Sequence, residues 1–365
     1  MSETEDEDAP APAQAGPAPA NESGPGMTAT EPSPGQEPLR SNPGAAVLAA
    51  LAGERRVCRG AARALARQGA RVRVLCADPA EADDLREGLR QDPGSLNEGQ
   101  AALVTFLCGR IDSDSDLARL LDDATGVALL SPVGPEGRTW RAASHIEDVR
   151  SLLESVSNRR IPRLVYLSAL NASLKLPIRC LREAAEAEKL IEKAGCLDFL
   201  LRTGPVIGRG DPWLTAVVRQ ASAANPFAVV RGYGDTPFQP IHEDDLGTCI
   251  ARCFLAPASD LHAGVYSLYS TPPTSTVDLL ERAARQLGRW SKVRLHIPLF
   301  AISLVAKLRG LFDRGRAWES SDRSGLLRCG LQAERSDLEA LLGPSCSTRP
   351  LTNALDEAIA SLAAR

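Results

Sequence analysis

Nine cysteines are scattered through 365 residues without a single C-x-x-C pair, so neither a disulfide framework nor a paired-cysteine metal site organises this chain. Their odd number and irregular spacing suit a reduced compartment. Cys249 and Cys253 would lie one helical turn apart, but no histidine sits nearby at ligand spacing. Both read as small buried hydrophobes, and no metal is expected. No apolar run approaches the roughly 20 residues of a membrane span. The start has neither the Arg-rich, acid-poor character of a transit peptide nor an apolar h-region, so no targeting signal is expected. The placement implied is cytoplasmic or another reduced compartment, with room for peripheral contact with a membrane.

What the first 43 residues do contain is nine of the 26 prolines and eight acidic residues against one basic residue, Arg40. Such a segment has too little apolar surface to offset the entropy of folding, and it is expected to be a disordered tail. Removing its charge of −7 from the chain's −4 leaves the remainder at about +3. That body is neither a polyanion nor a nucleic-acid binder.

From Ala45 onward short β-rich apolar runs alternate with amphipathic helices, the pattern of βαβ units around a parallel sheet. The runs are Ala46–Leu51, Val72–Cys76, Ala102–Leu107, Gly126–Leu130, Leu164–Ser168 and Phe199–Thr203. Helices are expected over Gly60–Gln68, Ala80–Arg90, Ser115–Asp122, Ile146–Ser155 and Leu181–Lys193, with Gly69 and Gly195 as stops. The fold class is therefore α/β, a doubly wound Rossmann-type sheet over residues 44–208. After Gly208 the rhythm breaks into Gly- and Pro-rich loops with shorter elements at Phe227–Val230, Asp244–Phe254, Val265–Tyr269 and Val277–Leu287. This pattern predicts a smaller lobe over 209–365, laid across the open end of the sheet. Within it, residues 297–312 place Ile297, Ala301, Leu304, Val305, Leu308, Leu311 and Phe312 on one helical stripe with a basic margin. Packing on its own domain is the favoured reading, and docking to a partner subunit or a membrane surface is the alternative.

A dinucleotide site needs glycines after the first strand, where a side chain would keep the pyrophosphate from the helix N-terminus. Here that turn reads Ala52-Gly53-Glu54-Arg55-Arg56-Val57-Cys58, with one glycine. Glu54 would bring negative charge toward the phosphates, and Arg55 and Arg56 would offset it by contacting them.

Four stretches, in order and in register, resemble the atypical, extended short-chain dehydrogenase/reductases. They are Arg163–Leu170, Ala185–Lys189, Leu201–Gly208 and Gln239-Pro240-Ile241-His242-Glu243-Asp244-Asp245. Within that group the likeness is greatest to the Rossmann-fold accessory subunits of respiratory complex I and their bacterial relatives. It rests on Arg209–Trp213, on Pro298-Leu299-Phe300 and on the ending Ser336–Gly343. The resemblance implies NADP or NAD as cofactor, held by Gly53, Arg55, Asp78, Gly109, Ser168, Gly204 and Val206.

Carried over position by position, it also shows departures. The three turn glycines fall on Ala52, Arg55 and Cys58. The basic residue after the second strand falls on Ala77, beside Asp78, which suits a free ribose hydroxyl. The aspartate after the third strand falls on Arg110, next to Gly109. The family's catalytic Tyr and Lys stand four residues apart so that the ammonium lowers the phenol's pKa, and these positions are Cys180 and Ala184. Substitutes would have to come from Tyr166, Lys175, Tyr233 or His242. The resemblance thus implies a catalytically inactive scaffold or accessory subunit. An atypical reductase or isomerase is the alternative, and outright loss of nucleotide binding, with Glu54 or Arg55 filling the pyrophosphate position, is a third reading.

Overall fold

The computed structural model describes residues 47–91, 95–138, 145–257, 259–301, 304, 317–344 and 346–363. The expected disordered tail lies outside the described residues, as does most of the 297–312 segment. Seven parallel strands form the central sheet. In chain order they are β1 (Leu48–Gly53), β2 (Arg71–Cys76), β3 (Val104–Cys108), β4 (Gly126–Leu130), β7 (Arg163–Ala169), β8 (Leu197–Thr203) and β12 (Gly264–Leu268). Between β4 and β7 a small antiparallel hairpin, β5 (Val133–Gly134) and β6 (Gly137–Arg138), rises from the sheet's carboxyl end. The spatial order is β3-β2-β1-β4-β7-β8-β12. The order reverses between β1 and β4, which opens a crevice outside their carboxyl ends, the usual place for a ligand in such sheets.

Burial on both faces explains why the strands read as continuous apolar runs rather than alternating ones. β1, β4 and β7 are buried at every position. On one face lie α1 (Arg55–Arg67), α2 (Pro79–Gln91) and α8 (Glu243–Leu255), and on the other α4 (Asp114–Leu121), α5 (His145–Arg159) and α6 (Arg179–Glu192). A short helix, α3 (Glu98–Ala101), precedes β3. Arg163, at the start of β7, donates to the carbonyls of Cys253, Phe254 and Ala256 and so closes the C-terminus of α8.

A third core joins α6 to α7 (Pro212–Ser222), α9 (Thr276–Gln286), α10 (Ala317–Cys329) and α12 (Leu351–Ala363). Short strands β9 (Val206–Ile207) and β11 (Ile241–His242) pair beside it, and β10 (Phe227–Arg231) pairs with β13 (Val293–Ile297) in a separate two-stranded sheet. The last short helix, α11 (Leu338–Leu342), packs on α8.

Two differences from the sequence reading have clear causes. The boundary at residue 208 is bridged, because β12 hydrogen-bonds to β8 as the seventh strand and α8 packs on α1. The described residues belong to one compact unit. Ile297, assigned to a helical stripe, ends β13 instead, since Val293, Leu295 and Ile297 also satisfy a period of two.

Candidate functional site

Helix α1 starts at the mouth of the crevice, five residues earlier than its apolar periodicity suggests, because Glu54 caps it. The Glu54 carboxylate accepts from the backbone amides of Arg56 and Val57, and its own amide donates to the carbonyl of Leu130 on β4. These are the amides that would meet an anion at a Rossmann helix N-terminus. The chain's own carboxylate has taken that place.

Gly53 makes the turn possible. Its φ of 153° and a Cβ position only 2.1 Å from the Leu130 carbonyl oxygen admit no other residue without strain. The strand-to-helix turn therefore carries its glycine at 53, and positions three and six residues further on are Arg56 and Arg59.

Arg56 continues the closure. Its Nε meets Glu54 at 3.0 Å, and one terminal nitrogen reaches Asp211 and the Val206 carbonyl, each at 3.2 Å. The guanidinium thus runs from the end of β1 to the loop beyond β8, across the crevice. Burial works against its charge, yet Glu54, Asp211 and Glu243 together hold its pKa above the usual value. Burial pushes the Asp211 carboxyl up, and Arg56 pulls it partly back. Beside Arg56, Pro132, Val206 and Trp213 the described residues line a cavity of about 20 Å³, room for about one water.

Two further arginines of α1 lock it to α8, Arg59 to Glu243 and Arg63 to Asp244, both at 2.7 Å. His242 caps α8 by accepting from the Asp244 amide, as its position before a run of acids suggests.

The other residues assigned to the cofactor are dispersed. Arg55 is half-exposed and paired with Asp84 on α2. Asp78 accepts from the Glu81 amide and so opens α2. Gly109 gives space to Asp116, whose carboxylate takes the Arg110 amide. Ser168 is buried and donates to Glu188, which is also held by Arg202 through two nitrogens. Gly204 lies against the Gln239 carbonyl, where a Cβ would stand 2.0 Å from the oxygen. Of these positions Val206 is the one that Arg56 reaches, while the same guanidinium is held by Glu54, next to Gly53.

The catalytic positions are equally closed. Cys180 begins the first turn of α6, where burial pushes its thiol well above the ordinary range and the carboxylate of Asp322 adds to the effect. Ala184 is fully buried in the third core. Arg138 fills the space between β4 and α6, donating to the Ser131 carbonyl and hydroxyl and to the Cys180 carbonyl at 3.0–3.1 Å. Tyr166 is sealed in the core against His145, 2.7 Å from its Nε2, and burial pushes its phenol up to about 12. Lys175 stands exposed in the loop before α6, and Tyr233 is exposed beside His296 of β13.

Three residues of this arrangement were not singled out from the sequence. Asp322, on α10, accepts from the Arg179 and Cys180 amides and caps α6 from a distance of more than 140 residues, which no local pattern announces. Arg138 is equally silent. Asp211 precedes Pro212 at a helix start, the ordinary capping signal, and its amide partner is Leu214.

A dinucleotide does not fit this cleft as it stands. The anion site at α1 is filled by Glu54, and the path from there toward β9 is crossed by Arg56.

No family model matches the sequence. The mitochondrial NADH dehydrogenase [ubiquinone] 1 alpha subcomplex subunit 9 of Arabidopsis thaliana is 26% identical over 166 residues, 44% of this chain and 40% of that protein. The match therefore spans less than half the length of the curated relative. Among solved structures, the NADPH-dependent quinone oxidoreductase of Escherichia coli, complexed with NADPH, superimposes with a TM-score of 0.62 at 17% identity, over 85% of this chain and 99% of that one. The UDP-glucuronic acid 4-epimerase of Bacillus cereus, in complex with NAD, gives 0.62 at 14%, over 87% and 99%. The triphenylmethane reductase of Citrobacter sp., complexed with NADP(H), gives 0.60 at 13%, over 86% and 99%. At these identities the likeness is one of fold, and the chain has a Rossmann-like fold, a parallel seven-stranded sheet flanked by helices.

Proposed function

We propose that this protein is a catalytically silent Rossmann scaffold that works through its partners, as an accessory subunit at a respiratory or quinone-related membrane complex. The observation that carries the reading is the closure of the cleft by the chain's own charges, Glu54 on the α1 amides and Arg56 across to Asp211 and Val206. The catalytic crevice adds to it. An acid–base pair needs a group that can ionise within reach of substrate, whereas Cys180 is held as a neutral thiol and Ala184 has nothing to donate. The membrane-complex part of the reading is supported by the sequence likeness to the plant subunit over part of its length. NADP and NAD, the cofactors that the resemblance implies, are not required by this role.

The test is turnover. Oxidation of NADPH or NADH by the full chain, with quinone or dye acceptors, is expected at no more than the rate without protein. The double variant Cys180→Tyr, Ala184→Lys is expected to be equally inert, because Arg56 and Arg138 still block the cleft, and less stable, because a lysine enters a fully buried core position. Protein-dependent oxidation in either form would overturn the proposal.

A further inference from the structure

All nine cysteines are free thiols, and Cys108 alone among them is exposed. It has a buried neighbour. Cys76 and Cys108 end β2 and β3, and the parallel register sets them opposite each other. Side chains alternate between the two faces along a strand. Val72, Val74 and Cys76 of β2 and Val104 of β3 belong to one core, and Phe106 of β3 packs against it. Cys108, two residues beyond Phe106, therefore lies on the same face as Cys76.

Neighbouring strands stand about 4.8 Å apart, within the roughly 4.4–6.8 Å that separates the Cα atoms of a disulfide. β3 is the edge strand of the sheet, so β2 alone holds it there, and the small approach that bonded sulfurs need pulls on no further strand. Burial pushes the Cys76 thiol up to about 12, with Glu81 and then Cys108 itself adding to the effect. The other thiol near Cys76 is Cys58 of α1, which is sealed in the core. An oxidant in solution therefore meets Cys108 first, and Cys76 is the sulfur poised behind it.

We propose that Cys76 and Cys108 form a peroxide-sensitive dithiol, in which the exposed sulfur reacts first and the buried one closes a disulfide across β2 and β3. In the first step the Cys108 sulfur attacks one oxygen of hydrogen peroxide and the O–O bond breaks. Cys108 becomes a sulfenic acid, and the departing hydroxide leaves as water with the thiol's proton. In the second the Cys76 sulfur attacks the sulfenic sulfur. The S–O bond breaks, and the hydroxyl leaves as a second water with the Cys76 proton. Two thiols are oxidised and one peroxide is reduced. The second step is the slower, because the Cys76 thiol gives up its proton reluctantly. The finished bond is slow to open for the same reason, since a reductant attacking the exposed sulfur must expel Cys76. The proposal holds whether or not the cleft admits a dinucleotide.

The experiment treats the reduced full chain with stoichiometric hydrogen peroxide, alkylates the remaining thiols and maps the digest by mass spectrometry. The expected product is a linked pair of peptides carrying Cys76 and Cys108, lighter than the two separate peptides by two hydrogens. In Cys76→Ser the sulfenic acid has no partner, so dimedone is expected to label Cys108. The oxidised wild type should unfold at a higher temperature than the reduced form, because the bond closes a loop of the unfolded chain. Cys108→Ser changes an exposed side chain, keeps the reduced wild-type midpoint and should show neither the linked peptides nor the rise. Cys108 left fully alkylatable after peroxide would overturn the proposal. So would a bridge from Cys76 to Cys58, or a bridge between the Cys108 residues of two chains in place of the one to Cys76.

Discussion

Replacing Arg56 by alanine is expected to cost about 3–5 kcal/mol of folding stability at neutral pH, read from the denaturant midpoint. Arg56 is 5% exposed and lies between two carboxylates, Glu54 and Asp211, that are themselves buried. A buried ion pair gains little over apolar packing, because desolvation consumes most of the Coulomb attraction, but removing one partner strands the other.

The pH dependence of that loss identifies its origin. Burial raises the Asp211 pKa in the native protein, and Arg56 is the first influence pulling it down. Without Arg56 it rises further. A carboxyl whose folded pKa lies above its unfolded value contributes fully to stability below the unfolded value, and that contribution is lost as pH rises through the folded one. The deficit of the variant should therefore be widest near neutrality and narrow as pH falls toward about 4. A gap that ignores pH, or stays below about 1 kcal/mol, would mean the closure is not held by these charges.

Gly60→Ala is expected to destabilise the protein by roughly 3 kcal/mol, against the usual trend in which alanine is favoured over glycine within a helix by about 1 kcal/mol. The sign reverses because α1 and α8 touch backbone to backbone here. A Cβ on Gly60 would stand 2.4 Å from the Glu243 carbonyl oxygen, and one on Gly247 would stand 2.4 Å from the Gly60 carbonyl oxygen. Neither obstacle is a flexible side chain that can move aside. Separating the helices would also stretch the Arg59–Glu243 and Arg63–Asp244 pairs. Gly99→Ala in α3, where the nearest atom is the Asn97 side-chain oxygen at 3.5 Å, serves as the contrast and should be neutral or slightly stabilising. Equal unfolding midpoints for Gly60→Ala and the wild type would show that the two helices are free to separate.

Gly60 also illustrates which parts of this fold are legible in a sequence. The central strands β1, β4 and β7 could be found because they are buried at every position and read as apolar runs. The start of α1 could not, because two consecutive arginines follow Glu54, and basic residues oppose the helix dipole in a first turn. The buried partners Glu54 and Asp211 make Arg56 acceptable there, and Arg55 turns outward to Asp84. The glycine turn was legible in composition and not in register. Counting from Ala52 puts Arg55 and Cys58 at the sensitive positions, while the structure places Gly53 at the junction and thereby Arg56 in the crevice. Charge alone suggested that Glu54 would meet phosphates and that the arginines would offset it. The pairing of Arg56 with Asp211, 155 residues away, depends on the fold having brought β9 and α7 back over β1. The seventh strand was missed as part of the sheet for a similar reason, since β12 arrives from beyond the point where the βαβ rhythm has stopped.

Calorimetric titration of the full-length protein with NADPH and with NADH tests the closed cleft most directly. With Glu54 on the α1 amides and Arg56 across the path to β9, no saturable heat is expected from either nucleotide into the millimolar range. Micromolar binding of either would contradict the closure and return the protein to the cofactor-holding members of its fold.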